Sequence, residues 1–210
     1  MRVVLVAPEP TWRGGVAAHS SGLQRALLEG GHDATTVVYS RCYPRFLMRL
    51  LGRGPQPVAD GAVLDALAPA SWRKARTLVE RLDPELIVGQ WWHPITAPAL
   101  TTVLEARSPS SGTAPVTVLV CHNALPHEPF PLARRLTRRA LGSADGLLVH
   151  SDAVAGQLRG LLAPSCPAIE MCPMPLLLRP DLSWTDRARC RRTLGLGSEE
   201  RLVLFVGHGR

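Results

Sequence analysis

The segment CHNALPHEP, residues 121–129, holds the densest set of groups that could do chemistry. His122 directly follows the apolar run Val116–Cys121, which reads as a strand, so it stands at that strand's carboxyl end. A histidine there can donate a hydrogen bond to a substrate hydroxyl or stabilise developing charge. Asn123 sits beside it. His127 and Glu128 follow in the same loop and are expected to hydrogen-bond loop backbone rather than act directly. A metal set of His122, His127 and Glu128 fits neither HExxH nor CxxC spacing, so no metal is expected.

Other loops could supply further contacts. PEPTWRGGVAAH places Gly14 and Gly15 at the opening of a helix. Backbone N–H groups and the helix dipole there favour an anion or sugar, and glycine permits close approach. A plain tight turn is the competing reading. GQWWHP follows another strand. Its adjacent tryptophans could stack on a sugar ring or cover the core, and only one can point inward from extended backbone. Trp92 and His93 are the substrate-contact candidates, and Ser151 completes the cleft set. The glycine loop is not GxGxxG and no acid follows at the ribose distance, which disfavours a dinucleotide fold. No GxSxG elbow is present, so a nucleophilic serine is unsupported.

In RCYPRFLMRLLGRGP, Arg41, Arg45, Arg49 and Arg53 recur every four residues, with Phe46, Leu47, Leu50 and Leu51 between them. From Pro44 this fits a short basic amphipathic helix. It suits an anionic membrane surface or acidic partner, or else a surface helix packed on its own domain.

Strand-like and helix-like segments alternate and must position these loops. Strands are expected at Arg2–Ala7, Ala34–Tyr39, Leu86–Gly89, Val116–Cys121, Leu147–His150 and Ala168–Cys172. Helices are expected at Val16–Leu28, Ser71–Leu82 with Ser71 as N-cap, Ala97–Ala106, Leu132–Leu141 and Asp152–Leu162. This order implies an α/β fold, a doubly wound parallel sheet with ligands at the strands' carboxyl ends. From Pro173 the texture becomes proline-rich. A basic helix follows at Thr185–Leu194, then a buried strand at Arg201–Val206.

The 210 residues, 46% hydrophobic and 20% charged, suit one large domain or two small ones rather than a disordered chain. No apolar run reaches the roughly 18 residues of a membrane span. The strand-like start argues against a signal peptide, and five cysteines without CxxC suit reduced thiols in a cytoplasmic protein. The net charge is +7, and Lys74 is the single lysine. A basic surface suits anionic partners, although arginine usage also follows genome composition. Nucleic acid is disfavoured because the arginines lack interleaved aromatics.

Taken together, MRVVLVAPEP, GGVAAHSSGLQRALLEGGHD, DPELIVGQWWHPITAPAL, VCHNALPHE, ADGLLVHS and RLVLFVG resemble the amino-terminal half of a family 4 glycosyltransferase, the retaining group of GT-B architecture. The resemblance implies a Rossmann-like acceptor-binding domain over residues 1–172. It implies a linker and helix over 173–200, and the first strand of a donor-binding domain over 201–210, that domain being largely missing. Gly14 and Gly15 match the loop that nears the donor phosphate, and His122 matches the histidine that contacts the transferred sugar. The implied co-substrate is a UDP- or GDP-linked sugar, with a glycan, lipid or small molecule as acceptor and no other cofactor. A donor phosphate oxygen, not a protein base, would take the acceptor's proton. The 210-residue chain by itself is expected to be inactive unless a separate donor-domain polypeptide completes it. A non-catalytic acceptor-binding or membrane-surface module, peripheral at the inner face of the membrane, is the alternative.

Overall fold

The computed structural model describes residues 1–12, 14–50, 58, 60–110, 112–126, 129–174 and 186–204, apart from the side chains of Leu47 and Leu50. The chain divides into two compact units, Met1–Pro175 and Leu176–Arg210.

In the first unit the strands are β1 (Arg2–Pro8), β2 (Asp33–Arg41), β3 (Leu64–Asp65), β4 (Leu86–Trp91), β5 (Val116–Cys121), β6 (Gly146–Val149) and β7 (Ala168–Met171). They form one parallel sheet in the order β3-β2-β1-β4-β5-β6-β7. This is an α/β, Rossmann-like arrangement. Its order reverses between β1 and β4, the switch point outside which such sheets bind ligands.

The helices are α1 (Gly15–Glu29), α2 (Arg45–Leu50), α3 (Pro69–Leu82), α4 (Ala97–Leu104), α5 (Ala133–Leu141) and α6 (Asp152–Leu162), with a 3-10 turn at Pro94–Thr96. Strand residues alternate between the two sheet faces. Val3, Leu5, Val88 and Val120 pack with Leu23 and Leu27 of α1. Val4, Val6, Ile87, Trp91 and Leu119 join a larger core with α3, α4, α5 and α6 on the other face. Continuous apolar runs such as RVVLVAP are what burial on both faces requires.

Helix ends differ from the sequence reading in one informative place. Ser71 is not the N-cap of α3, which starts at Pro69 after Ala68. Proline is preset for a first helical turn. The Ser71 hydroxyl instead donates to the Asp65 and Ala68 carbonyls. The edge strand β3, only two residues long, was too short to register as a pattern. In the second unit, α7 (Arg187–Thr193) is capped by Asp186, whose carboxylate accepts from the Ala188 and Arg189 amides. Residues 201–204 are not in a strand, and the remainder of the expected strand, with most of the linker, lies outside the described residues.

Gly89 lets α4 lie close to the sheet. A Cβ there would come within 2.6 Å of Leu119 Cδ2 and 2.9 Å of Leu100 Cδ1. Both leucines are fully buried and have little room to yield. We expect Gly89→Val to lower unfolding free energy by about 1–3 kcal/mol through overpacking. Urea titration checks this, and an unchanged midpoint would show that α4 can withdraw without cost.

Candidate functional site

Strand register brings three histidines together at the carboxyl edge. Val120 and Cys121 of β5 pair with Leu148 and Val149 of β6. His122 and His150 are the next residue on each strand, so they leave the sheet side by side. Counting by two from Val120 and Leu148, both point to the face covered by α1. His19 lies in the first turns of α1 on that face and is 6% exposed.

The ring centroids of His19 are 5.1 Å from those of His122 and 5.0 Å from those of His150, and His122 and His150 are 5.4 Å apart. One ligand-capable nitrogen from each ring lies within 4.8 Å of the other two.

Gln90, on β4 and fully buried, supports the cluster. Its Oε1 lies 2.7 Å from His122 Nε2. An amide oxygen only accepts, so His122 carries its proton on Nε2 and keeps a lone pair on Nδ1. On the other side, His150 Nδ1 donates to the Cys172 carbonyl at 2.9 Å. The buried atoms His19 Nδ1, His150 Nε2 and Gln90 Nε2 have no hydrogen-bond partner.

Burial, then the neighbouring His19 and His150, push the His122 pKa from the usual value down to about 3. His19 is lowered first by burial and then by His150, with a hydrogen bond to Gln90 acting in the opposite sense. Both rings are therefore neutral near pH 7. The neighbouring Cys121 thiol is pushed up by burial and offers no thiolate nucleophile.

Other sequence candidates fall around this cluster or away from it. Gly14 is the residue before α1, at φ 149° and ψ 159°, backbone that favours glycine, and Gly15 opens the helix. Among the described residues no side chain caps this end, which leaves its N–H groups open to a ligand. Ser151 caps α6, its hydroxyl accepting from the Val154 amide at 3.4 Å.

The Trp pair divides as extended backbone demands. Trp91 is wholly buried, while Trp92 is half-buried and donates from Nε1 to the Tyr43 hydroxyl at 3.2 Å. His93 accepts from the Ile95 amide at 3.1 Å and packs edgewise against Tyr43 and Phe130. Asn123 Oδ1 is buried and unpartnered. Arg45 and Arg49 are exposed on α2. His127, Glu128 and Arg53 lie outside the described residues.

Sequence reasoning missed His19, Gln90 and His150. His19 and Gln90 stood in the loop segments already read, and His150 directly precedes Ser151. Their convergence depends on register, which no single segment displays.

A family model described as a glycosyl transferase 4-like domain matches residues 14–176. The chain belongs to that family. The matched span runs from the N-cap of α1 past β7 and contains all three histidines. No curated protein matches the sequence. Among solved structures, an alpha-glucosyltransferase in complex with UDP and a 13-mer DNA containing an HMU base is similar, at 15% identity and a TM-score of 0.46. The match covers 81% of this chain and 41% of that one. An alpha-glucosyltransferase in complex with UDP matches at 14% identity and a TM-score of 0.47, over 81% and 43% of the two chains. The present chain thus spans about two fifths of the length of these structures. Among the described residues, no helix of this glycosyl transferase 4-like protein is long and apolar enough to cross a membrane.

The depressed histidines make a prediction about acid. A histidine whose folded pKa lies below its unfolded value binds fewer protons when folded. Its contribution is complete above the unfolded value of about 6.5. It is lost progressively as the pH falls toward about 3. With EDTA present, urea midpoints should fall from about pH 7 to about pH 4, and His122→Gln should flatten that fall. Equal slopes in the two proteins would place the acid sensitivity elsewhere.

Proposed function

We propose that residues 1–172 form the acceptor-binding half of a sugar transferase that uses a UDP- or GDP-linked sugar and transfers with retention. The observation that carries this reading is the approach of α1, through His19 in its first turns, to His122 at the carboxyl edge of a family-matched parallel sheet. Gly14 and Gly15 present backbone N–H groups to the donor phosphates. His122 meets a hydroxyl of the transferred sugar, with Asn123 beside it. Trp92, His93 and Ser151 border the acceptor side, and His127 and Glu128, close to His122 in the sequence, are further substrate contacts. Donor recognition resides largely in a second domain, in the same polypeptide or in a separate one.

A pKa near 3 makes His122 a poor proton acceptor at neutral pH. This supports a route in which a donor phosphate oxygen takes the acceptor's proton while His122 positions the sugar. With a donor domain supplied, fused or in trans, His122→Ala should cut turnover by about 10²-fold or more. Leaving Gln90 unpaired should cost only about 1–3 kcal/mol of stability. Intact turnover with a lowered melting temperature would make His122 a structural residue.

A second reading, contact with an anionic membrane, is favoured by Phe46, which is 73% exposed between Arg45 and Arg49 on α2. Arg53 lies on the same sequence repeat. Vesicle binding by the 210-residue chain should weaken with salt and with Arg45→Gln or Arg49→Gln, at about 1 kcal/mol per arginine. Equal binding to neutral and anionic vesicles, or none to either, would remove this reading.

A further inference from the structure

We propose that His19, His122 and His150 form a binding site for a transition-metal cation of the zinc class. Three neutral imidazoles are a recognised ligand set for zinc, one that leaves a further position for water or a substrate oxygen. The cation would satisfy what the protein alone does not. His19 Nδ1 and His150 Nε2 are buried without a hydrogen-bond partner. Buried polar atoms are seldom left in that state. One ring nitrogen from each histidine already lies within 4.8 Å of the other two. Zinc–nitrogen bonds of about 2.0–2.1 Å call for nitrogens about 3.4 Å apart, so each ring would move inward by less than about 1 Å.

The surroundings are those of a metal site as well. Metal-bound histidines usually donate their other ring N–H to a carbonyl, carboxylate or water, which fixes the tautomer and aims the lone pair. His150 donates to the Cys172 carbonyl and His122 to the Gln90 amide oxygen. The Cys172 carbonyl is itself held in place, because the Cys172 amide donates to the Val149 carbonyl at 2.8 Å. Imidazole selects zinc, copper or nickel over calcium and magnesium, which prefer oxygen. The expectation that no metal binds came from the spacing of His122, His127 and Glu128. It did not consider residues brought together by β5, β6 and α1.

An ion here would occupy the His122 lone pair. If His122 also contacts the sugar, as proposed above, metal and donor compete. That consequence rests on the transferase reading, whereas metal binding does not.

The test uses the 210-residue chain without any polyhistidine tag. Calorimetry should show one Zn²⁺ bound per chain at micromolar concentrations. Co²⁺ should give visible four-coordinate bands without the intense near-ultraviolet absorption of thiolate ligation, which separates this site from exposed Cys172 and Cys190. His19→Gln and His150→Gln should each weaken binding by more than about 100-fold, and Gln90→Leu by about 10–100-fold. Histidine ring NMR on the unmutated chain covers the case in which a variant fails to fold: Zn²⁺ should shift His19, His122 and His150 together. Absence of stoichiometric binding, thiolate bands, shifts confined to other histidines, or folded variants that bind as tightly as the parent would each overturn the proposal.

Discussion

Gln90 is the residue about which the carboxyl edge is arranged. It is fully buried on β4, between β1 and β5, and pairs in register with Val120. Burying an amide costs about 1–3 kcal/mol unless its atoms are paired. The Gln90 oxygen is paired through His122, while its Nε2 has no hydrogen-bond partner. The contact with His122 sets which of its nitrogens carries the proton and which keeps a lone pair. On the opposite face of β4, Gly89 lets Leu100 of α4 and Leu119 pack closely against the strand.

The same alternation explains why the three histidines converge. Val88, Val120 and Leu148 face α1 in their strands. Two residues further along, Gln90, His122 and His150 share that direction. α1 returns over this face after a turn at Gly14, whose positive φ is a backbone conformation that a residue with a side chain adopts only under strain. His19 follows one helical turn after Gly15, on the same side of α1. Parallel register and helix period together, rather than any short motif, build the cluster.

This division sets how much could be read from residues alone. Apolar runs such as Val116–Cys121 and the helical spacing of Asp152–Leu162 fell where expected, because each is dictated by local burial. β3 was missed because two residues carry no period. The start of α3 was misplaced because Ser71 satisfies carbonyls within the first turn, and proline at the first helical position was the stronger signal. At the site, His122 and the glycine pair were legible as strand and helix ends. His19 and His150 were not, since only the pairing of β5 with β6 tells that position 150 lies beside position 122. Trp92 and His93 looked equally chemical in sequence. In the fold the Trp92 indole donates to the Tyr43 hydroxyl, and His93 accepts from the Ile95 amide.

The tautomer has a consequence for any ligand of the cluster. The sequence reading cast His122 as a hydrogen-bond donor to a hydroxyl. With its Nε2 proton committed to Gln90, His122 offers only the Nδ1 lone pair. It can accept from a sugar O–H, or it can ligate a cation; as placed, it cannot donate to an oxyanion. His150 likewise gives its Nδ1 proton to the Cys172 carbonyl. Burial keeps His19 and His122 uncharged, so the cluster offers its ligand lone pairs rather than positive charge at these two rings. An anionic diphosphate gains nothing from such a surface. On the transferase reading it would be served instead by the N–H groups at the start of α1, where no side-chain cap is found among the described residues. A donor bound across this edge would thus be divided by chemistry, its phosphates drawn to the Gly14 end of α1 and its hydroxyl-rich sugar to the lone pairs of the histidines.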